Sequence, residues 1–168
     1  MMKRFVIVIF LFALFGCSYN FVGESNSLPG GIKKLYISNV VNSTDEPNLQ
    51  VYLKSDLVDT FDLDRRVVVV HSKGIADGVL KVEISDYSVN PISYNASGFA
   101  NRYRCAIEVK VKLLDRNGRV IEEKTVESYR DYNAKDEVSA TEKARNEISK
   151  DVLKDLALKI RDALFINF

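Results

Sequence analysis

Histidine occurs once in this chain, at His71, and that scarcity closes off most hydrolytic chemistry. A Ser-His-acid triad would have to use this single imidazole, and no Gly-x-Ser-x-Gly elbow accompanies it. Glycine is sparse too, and no phosphate-cradling loop is present: the Gly30-Gly31 pair lies in a Ser- and Asn-rich stretch. Carboxylates are plentiful, yet none forms an apolar-flanked pair suited to acid–base work. The sequence thus offers no catalytic residue and predicts a protein that is not an enzyme. A surplus of charge is missing as well. Lys and Arg number 24 against 23 Asp and Glu, so no global basic field exists to attract nucleic acid.

Long hydrophobic runs are equally few. One stands out, Phe5 through Phe15, directly after Lys3-Arg4. As a helix its eleven residues span about 16 Å, against about 30 Å for a bilayer core. The run is too short for an ordinary anchor and fits the apolar centre of a signal peptide. Leu14-Phe15-Gly16-Cys17 follows and resembles the lipobox cleaved by lipoprotein signal peptidase, with Phe15 where the pattern prefers a smaller residue. The expectation is a signal peptide over residues 1–16 and a lipidated Cys17, palmitate being among its three acyl chains. Three chains hold far better than the marginal single one. Ser18 resembles the outer-membrane sorting signal of enteric bacteria.

With Cys17 so engaged, Cys105 is left alone. A structural disulfide is not expected. One histidine and one free thiol do not make a zinc site, so no metal and no cofactor is expected. Removing residues 1–16 leaves 152 residues, one domain's worth, with a net charge of −1. Residues 17–31 read as the lipidated cysteine and a flexible tether, and 32–168 as a single domain.

Within it, Leu35 to Val41 suggests a strand interrupted at Asn39. Asn42-Ser43-Thr44-Asp45-Glu46-Pro47 carries helix-start chemistry, with a Thr or Ser cap. Leu49, Leu53, Leu57 and Phe61 then form one stripe of an amphipathic helix. Val67 to Val70 reads as a strand buried on both faces. Leu80, Val82 and Ile84 alternate with polar residues, and the phase slips at Asp86, as a bulge would make it. Asn90 to Asn101 reads as a loop because of Pro91 and Gly98.

Tyr103 to Leu113 is the clearest strand. Tyr103, Cys105, Ile107, Val109, Val111 and Leu113 take one face, and the other carries Arg102, Arg104, Glu108, Lys110 and Lys112. Asn117-Gly118 predicts a hairpin with a type I′ turn. Glu122, Glu123 and Lys124 suit an edge strand. Ser139-Ala140-Thr141-Glu142 matches a capping box. It would open a last helix striped by Ala144, Ile148, Val152, Leu156, Ile160 and Leu164. The expected fold is α+β: a two-layer sandwich, with a mainly antiparallel sheet of four to five strands and two amphipathic helices on one face. The first strand–helix–strand unit should supply one parallel pairing.

The order of short motifs resembles the LptE family of lipopolysaccharide-assembly lipoproteins. These motifs are Cys17-Ser18-Tyr19-Asn20-Phe21 after the lipobox, Leu28-Pro29, Asn42-Ser43-Thr44-Asp45-Glu46-Pro47-Asn48-Leu49, Ala76-Asp77-Gly78-Val79-Leu80, Pro91-Ile92-Ser93-Tyr94, Tyr103-Arg104 and Leu113-Leu114-Asp115. The resemblance implies a lipid-anchored domain at the outer membrane, facing the periplasm and the lumen of the LptD β-barrel. There it plugs the barrel, assists its assembly and helps deliver lipopolysaccharide to the outer leaflet. It also implies lipopolysaccharide contacts through two basic positions. The first falls here near Asn95, with Arg102 and Arg104 the nearest basic residues. The second falls near Ala140 or Thr141, with Lys135 and Lys143 close by. Lys110 and Lys112 join Arg102 and Arg104 on the basic face of their strand, which is either a solvated outer face or a contact with an anionic or polar surface; with Lys135 and Lys143 these are the candidate lipopolysaccharide or partner contacts. A tethered regulator of a peptidoglycan synthase is the main alternative; a secretin pilotin and a secreted hydrolase rank below it.

Overall fold

The computed structural model describes residues 27–166. The expected signal peptide and Cys17 lie outside the described residues. Lys34–Ile37 forms β1, Val41–Asn42 β2, Leu49–Asp62 helix α1 and Val68–Val69 β3. Gly78–Tyr94, Ala100–Asp115 and Val120–Asn133 form β4, β5 and β6, and Val138–Phe165 forms helix α2. One sheet runs in the order β3-β1-β4-β5-β6, with β2 also paired to β4. β4, β5 and β6 make an antiparallel meander. β1 lies parallel to both β3 and β4, and β2 parallel to β4. The fold is α+β in two layers, as the sequence predicts; among the described residues the sheet has six strands and three parallel pairings where four to five strands and one such pairing are expected.

Both helices cover one face. The α1 stripe of Leu49, Leu53, Leu57 and Phe61 is fully inside, and α2 buries Val152, Leu153, Leu156, Ala157, Ile160 and Leu164. They meet Cys105, Ile107, Val109, Val111 and Leu113 from β5 in one continuous core. Each large aliphatic side chain withdrawn from water contributes roughly 1.5–3 kcal/mol, so these three rows dominate the favourable side of folding.

Several local expectations are corrected. The first strand is split: Ser38–Val40 leaves the sheet, with Val40 buried, and Lys54 of α1 donates to the carbonyls of Ile37 and Ser38 across the break. Helix α1 begins after Asn48, which lies in the left-handed region (φ 66°) and makes no side-chain capping bond, so neither Ser43 nor Thr44 caps it. Asn tolerates that conformation better than most residues. The Asn42 side chain instead organises the preceding turn, accepting from the Thr44 N–H and hydroxyl and donating to the Glu46 carbonyl. β3 is an edge strand with Val68 60 % exposed, so it is not buried on both faces.

The segment Asn90 to Asn101 is mostly strand. β4 runs on to Tyr94 with register shifts around Pro91 and Ser93, and only Asn95–Phe99 turns. Proline is tolerated there because β1 and β2 pair with β4 no further than Ile84, leaving that edge of β4 without a strand partner. The bulge expected near Asp86 is present.

At the next turn Asn117 keeps a negative φ and only Gly118 is left-handed (φ 84°). The Asp115 carboxylate accepts the N–H groups of Asn117 and Arg119, and its carbonyl that of Gly118. This is the longer loop with glycine at its left-handed position, not a type I′ turn. Helix α2 starts at Val138, so Ser139 lies inside it; the Thr141 hydroxyl accepts the Lys135 N–H in place of a capping box. Finally, Leu28 is buried in the core and Pro29–Gly31 packs by Ile121. The domain therefore begins by Leu28, and residues 28–31 belong to it rather than to a tether.

Candidate functional site

The sheet face turned away from the helices carries the basic row of β5, and strand register decides what that row meets. Arg104 sits opposite Asp131 of β6. Its guanidinium grips that carboxylate with two bonds, at 2.8 and 3.2 Å, and lies 4.2 Å from the centre of the Tyr129 ring. Arg102 adds a third bond to Asp131 at 3.2 Å. The hydrogen bonds from Arg104 hold the Asp131 carboxyl below its ordinary range. Lys112 pairs with Glu123 at 2.9 Å. Glu83 sits opposite Lys110, whereas Asp86, Glu108 and Glu127 line up as a row of three carboxylates across β4, β5 and β6. The face is therefore banded: basic residues at both ends of β5, with an acidic row between them, rather than one continuous basic patch.

The six candidate residues fall into two groups. Ala134 N–H bonds the Asn101 carbonyl, which brings Lys135 to the β4–β5 hairpin end of the sheet with Arg102 and Arg104. Lys143, near the start of α2, is exposed and 4.0 Å from Glu147. Lys110 and Lys112 lie toward the opposite end, Lys110 six residues or about 20 Å along the strand from Arg104. Asn95 serves the local backbone: its side-chain oxygen accepts the N–H groups of Ser97 and Phe99 and closes the hairpin turn. The Thr141 hydroxyl likewise holds the start of α2.

Two features were not foreseen from the sequence. The first is the hairpin tip, where Ile92, Tyr94 and Phe99 are all exposed; their place in a supposed loop hid them. The second lies on the helix side. A cavity of about 340 Å³ opens between Asn48 and Tyr52 of the α1 entry and Arg145, Ser149 and Lys150 of α2. Arg145 closes it with an ion pair to Glu46 at 2.7 Å. Burial works against the Arg145 charge, but the bond to Glu46 and the nearby Tyr87 and Glu142 outweigh it and raise its pKa. Among the described residues no group of three or more His, Cys, Asp or Glu could hold a metal ion. Cys105 is buried beside Ser149, and burial pushes its thiol pKa up, which suits a core thiol rather than a nucleophile.

The two ends of the sheet differ. The chain enters beside Ile121, at the β5–β6 turn, while the aromatic hairpin tip lies at the other end. The family model described as LptE, Lipopolysaccharide-assembly, matches residues 32–164. This chain belongs to the LptE family.

The work of that family is assembly rather than catalysis, which agrees with the lack of catalytic motifs in the sequence. No curated sequence matches the chain. Among solved structures, lipoprotein B from Nitrosomonas europaea is 18% identical with a TM-score of 0.61, over 89% of this chain and 91% of that one. A putative lipoprotein from Caulobacter crescentus is 20% identical with a TM-score of 0.56, over 76% and 86%. Rare lipoprotein B from Shewanella oneidensis is 17% identical with a TM-score of 0.54, over 76% and 92%. At these identities the likeness speaks for a shared fold.

Proposed function

We propose that this LptE-family chain is an outer-membrane lipoprotein, anchored through Cys17, that stands in the lumen of the LptD β-barrel. There it assists the barrel's assembly and helps pass lipopolysaccharide to the outer leaflet. The observation that carries this reading is the polarity of the sheet. From Leu114, near the chain entry, to Ala100 at the hairpin, β5 extends about 46 Å at about 3.3 Å per residue. The apolar band of an outer-membrane barrel is only about 25 Å tall. A domain held by its entry end at the inner leaflet is long enough to carry its hairpin tip through such a barrel. The charged outer sheet face suits a polar lumen. Arg102, Arg104 and Lys135 would then stand at the outer end with Lys143 nearby; Asp131 holds the Arg104 fork, so the exposed Arg102 and the two lysines would be the groups that meet lipopolysaccharide phosphates.

Photo-crosslinking in cells from positions 102 and 104 tests this directly. Adducts to LptD from both, and to lipopolysaccharide from either, are expected. Adducts to a peptidoglycan synthase, or a chain that purifies from outer membranes without LptD, would overturn it.

A further inference from the structure

Between β1 and β2 the chain leaves the sheet at Ser38–Val40, and on the outer face of that break a cleft of about 460 Å³ opens. Its walls are Ser38, Asn39, Val41, Lys81, Lys110 and Lys112 together with Glu83. Lys81 and Lys112 are direct register partners on β4 and β5. Like charges directly opposite each other destabilise a sheet, so this pairing calls for a counter-charge. Lys112 finds one in Glu123. Lys110 sits opposite Glu83, but the Glu83 carboxylate is turned aside and accepts the Ser43 hydroxyl at 2.8 Å. Among the described residues, Lys81 and Lys110 thus have no ionic partner. Three ammonium groups surround one cleft, two of them uncompensated, and Val41 beside them is an exposed apolar residue.

The cleft also lies close to the chain entry. Lys81 is three residues from Gly78, and Lys112 three from Asp115, with Gly78 and Asp115 paired at the end of the sheet where the chain enters. The cleft is therefore only about 10 Å up the strands from that end. With an anchor at Cys17, the eleven residues to Leu28 extend at most about 39 Å, so the cleft is held within reach of the membrane surface. Lysine acts as a point charge toward phosphate and needs no planar, two-pronged partner.

We infer that this cleft binds the phosphate of an anionic membrane lipid, the Lys81, Lys110 and Lys112 ammonium groups meeting its oxygens and Val41 lying against the adjoining hydrocarbon. The inference rests on the anchor at Cys17 but not on the barrel. It gives the entry end of the domain a lipid contact of its own, distinct from the Arg102–Arg104 end.

The test is lysine acylation footprinting, read by mass spectrometry, on the full lipidated chain in vesicles. Compared with pure phosphatidylcholine, vesicles containing phosphatidylglycerol should slow modification of Lys81, Lys110 and Lys112 about fivefold and leave Lys143 unchanged. In the Lys81→Gln, Lys112→Gln variant, Lys110 should lose that protection. Protection in lipopolysaccharide vesicles without protection in phosphatidylglycerol vesicles overturns the inference, since the contact would then be the lipopolysaccharide contact of the proposed function. Equal reactivity in phosphatidylglycerol, lipopolysaccharide and phosphatidylcholine vesicles overturns the inference. So does equal protection by inorganic phosphate over pure phosphatidylcholine, which would make the ligand a free anion. LptD co-purification can succeed or fail independently of either result, so the two proposals are separable.

Discussion

Arg145, in the second turn of α2, reaches back 99 residues along the chain to hold the Glu46 carboxylate at 2.7 Å. The same guanidinium pairs with Glu142 at 3.0 Å and donates to the Tyr87 hydroxyl at 3.5 Å. Tyr87 in turn lies 3.1 Å from the Ser149 hydroxyl. One side chain thereby joins the entry to α1, the part of β4 beyond its bulge, and α2.

Replacing Arg145 with Ala should therefore cost more than an ordinary surface pair. Glu46 is 16% exposed and Arg145 26%, so the substitution leaves a half-buried carboxylate without its cation. Full burial would cost about 3–5 kcal/mol on breaking such a pair; with this much solvent access about 2 kcal/mol is expected. A lowered urea midpoint at unchanged slope is the measurement. Arg145→Lys should recover only part of the loss, since an ammonium cannot serve Glu46, Glu142 and Tyr87 with the geometry of a planar fork. An unchanged midpoint for Arg145→Ala would show that the pair is solvated and contributes nothing.

A loss of stability at alkaline pH is expected next. Tyr132 is buried against Tyr103, their ring centres 5.6 Å apart. Burial, and then the neighbouring Tyr87 and Cys105, push the Tyr132 hydroxyl up to about 12. An unfolded tyrosine titrates near about 10. The folded state thus holds this proton more tightly than the unfolded one. Its contribution is fully present below about pH 10 and is lost as pH rises through about 10 toward about 12. Tyr87 is raised in the same direction, also by burial first. Circular dichroism followed from neutral to alkaline pH should show the loss within that window, accompanied by tyrosinate absorbance, and Tyr132→Phe should weaken it.

How far the sequence discloses this molecule depends on whether each feature is local. The stripe Leu49, Leu53, Leu57, Phe61 and the alternation from Cys105 to Leu113 are periodic, and both are buried as read. The slip at Asp86 is local too. The grip of Arg104 on Asp131 is not: it links residues 27 apart, and only the register of β5 against β6 creates it. The sequence shows four cations on one face of β5 but not the carboxylates that the next strands lay beside them. Pro91 and Gly98 argue for a loop on local grounds, and tertiary pairing with Tyr103 and Arg102 keeps the chain extended regardless. The helix start at Asn48 and the loop at Gly118 follow from turn conformations for which several residue types compete, so dipeptide signals point to the wrong variant.

Gly78 tests the close packing at the entry end. It is buried and paired with both Leu35 and Asp115. A Cβ there would meet the Ile32 side chain, with Cγ1 at 2.9 Å, and the Leu114 carbonyl oxygen at 3.0 Å. The Ile32 end can shift, but the backbone oxygen cannot without disturbing the β4–β5 ladder. Gly78→Ala should destabilise the domain by about 1–3 kcal/mol, the usual cost of overpacking. Ile32→Val together with Gly78→Ala should restore part of it. Thermal unfolding of the two variants measures both effects.

The hairpin tip separates stability from docking most cleanly. Phe99 is 71% exposed and Tyr94 61%, while the turn between them is held by the Asn95 side chain and by backbone bonds. Neither ring contributes to the core, so Tyr94→Ser with Phe99→Ser should shift stability by no more than about 0.5 kcal/mol. If the tip stands at the far end of the LptD lumen, both rings meet the partner. Their loss should then lower the yield of LptD complex from outer membranes while the melting temperature of the isolated chain holds. Asn95→Ala is the contrasting variant: it loosens the turn, so melting and complex yield should fall together. Full recovery of the complex with the serine pair would place the barrel contacts elsewhere, on the charged sheet face around Arg104 and Asp131.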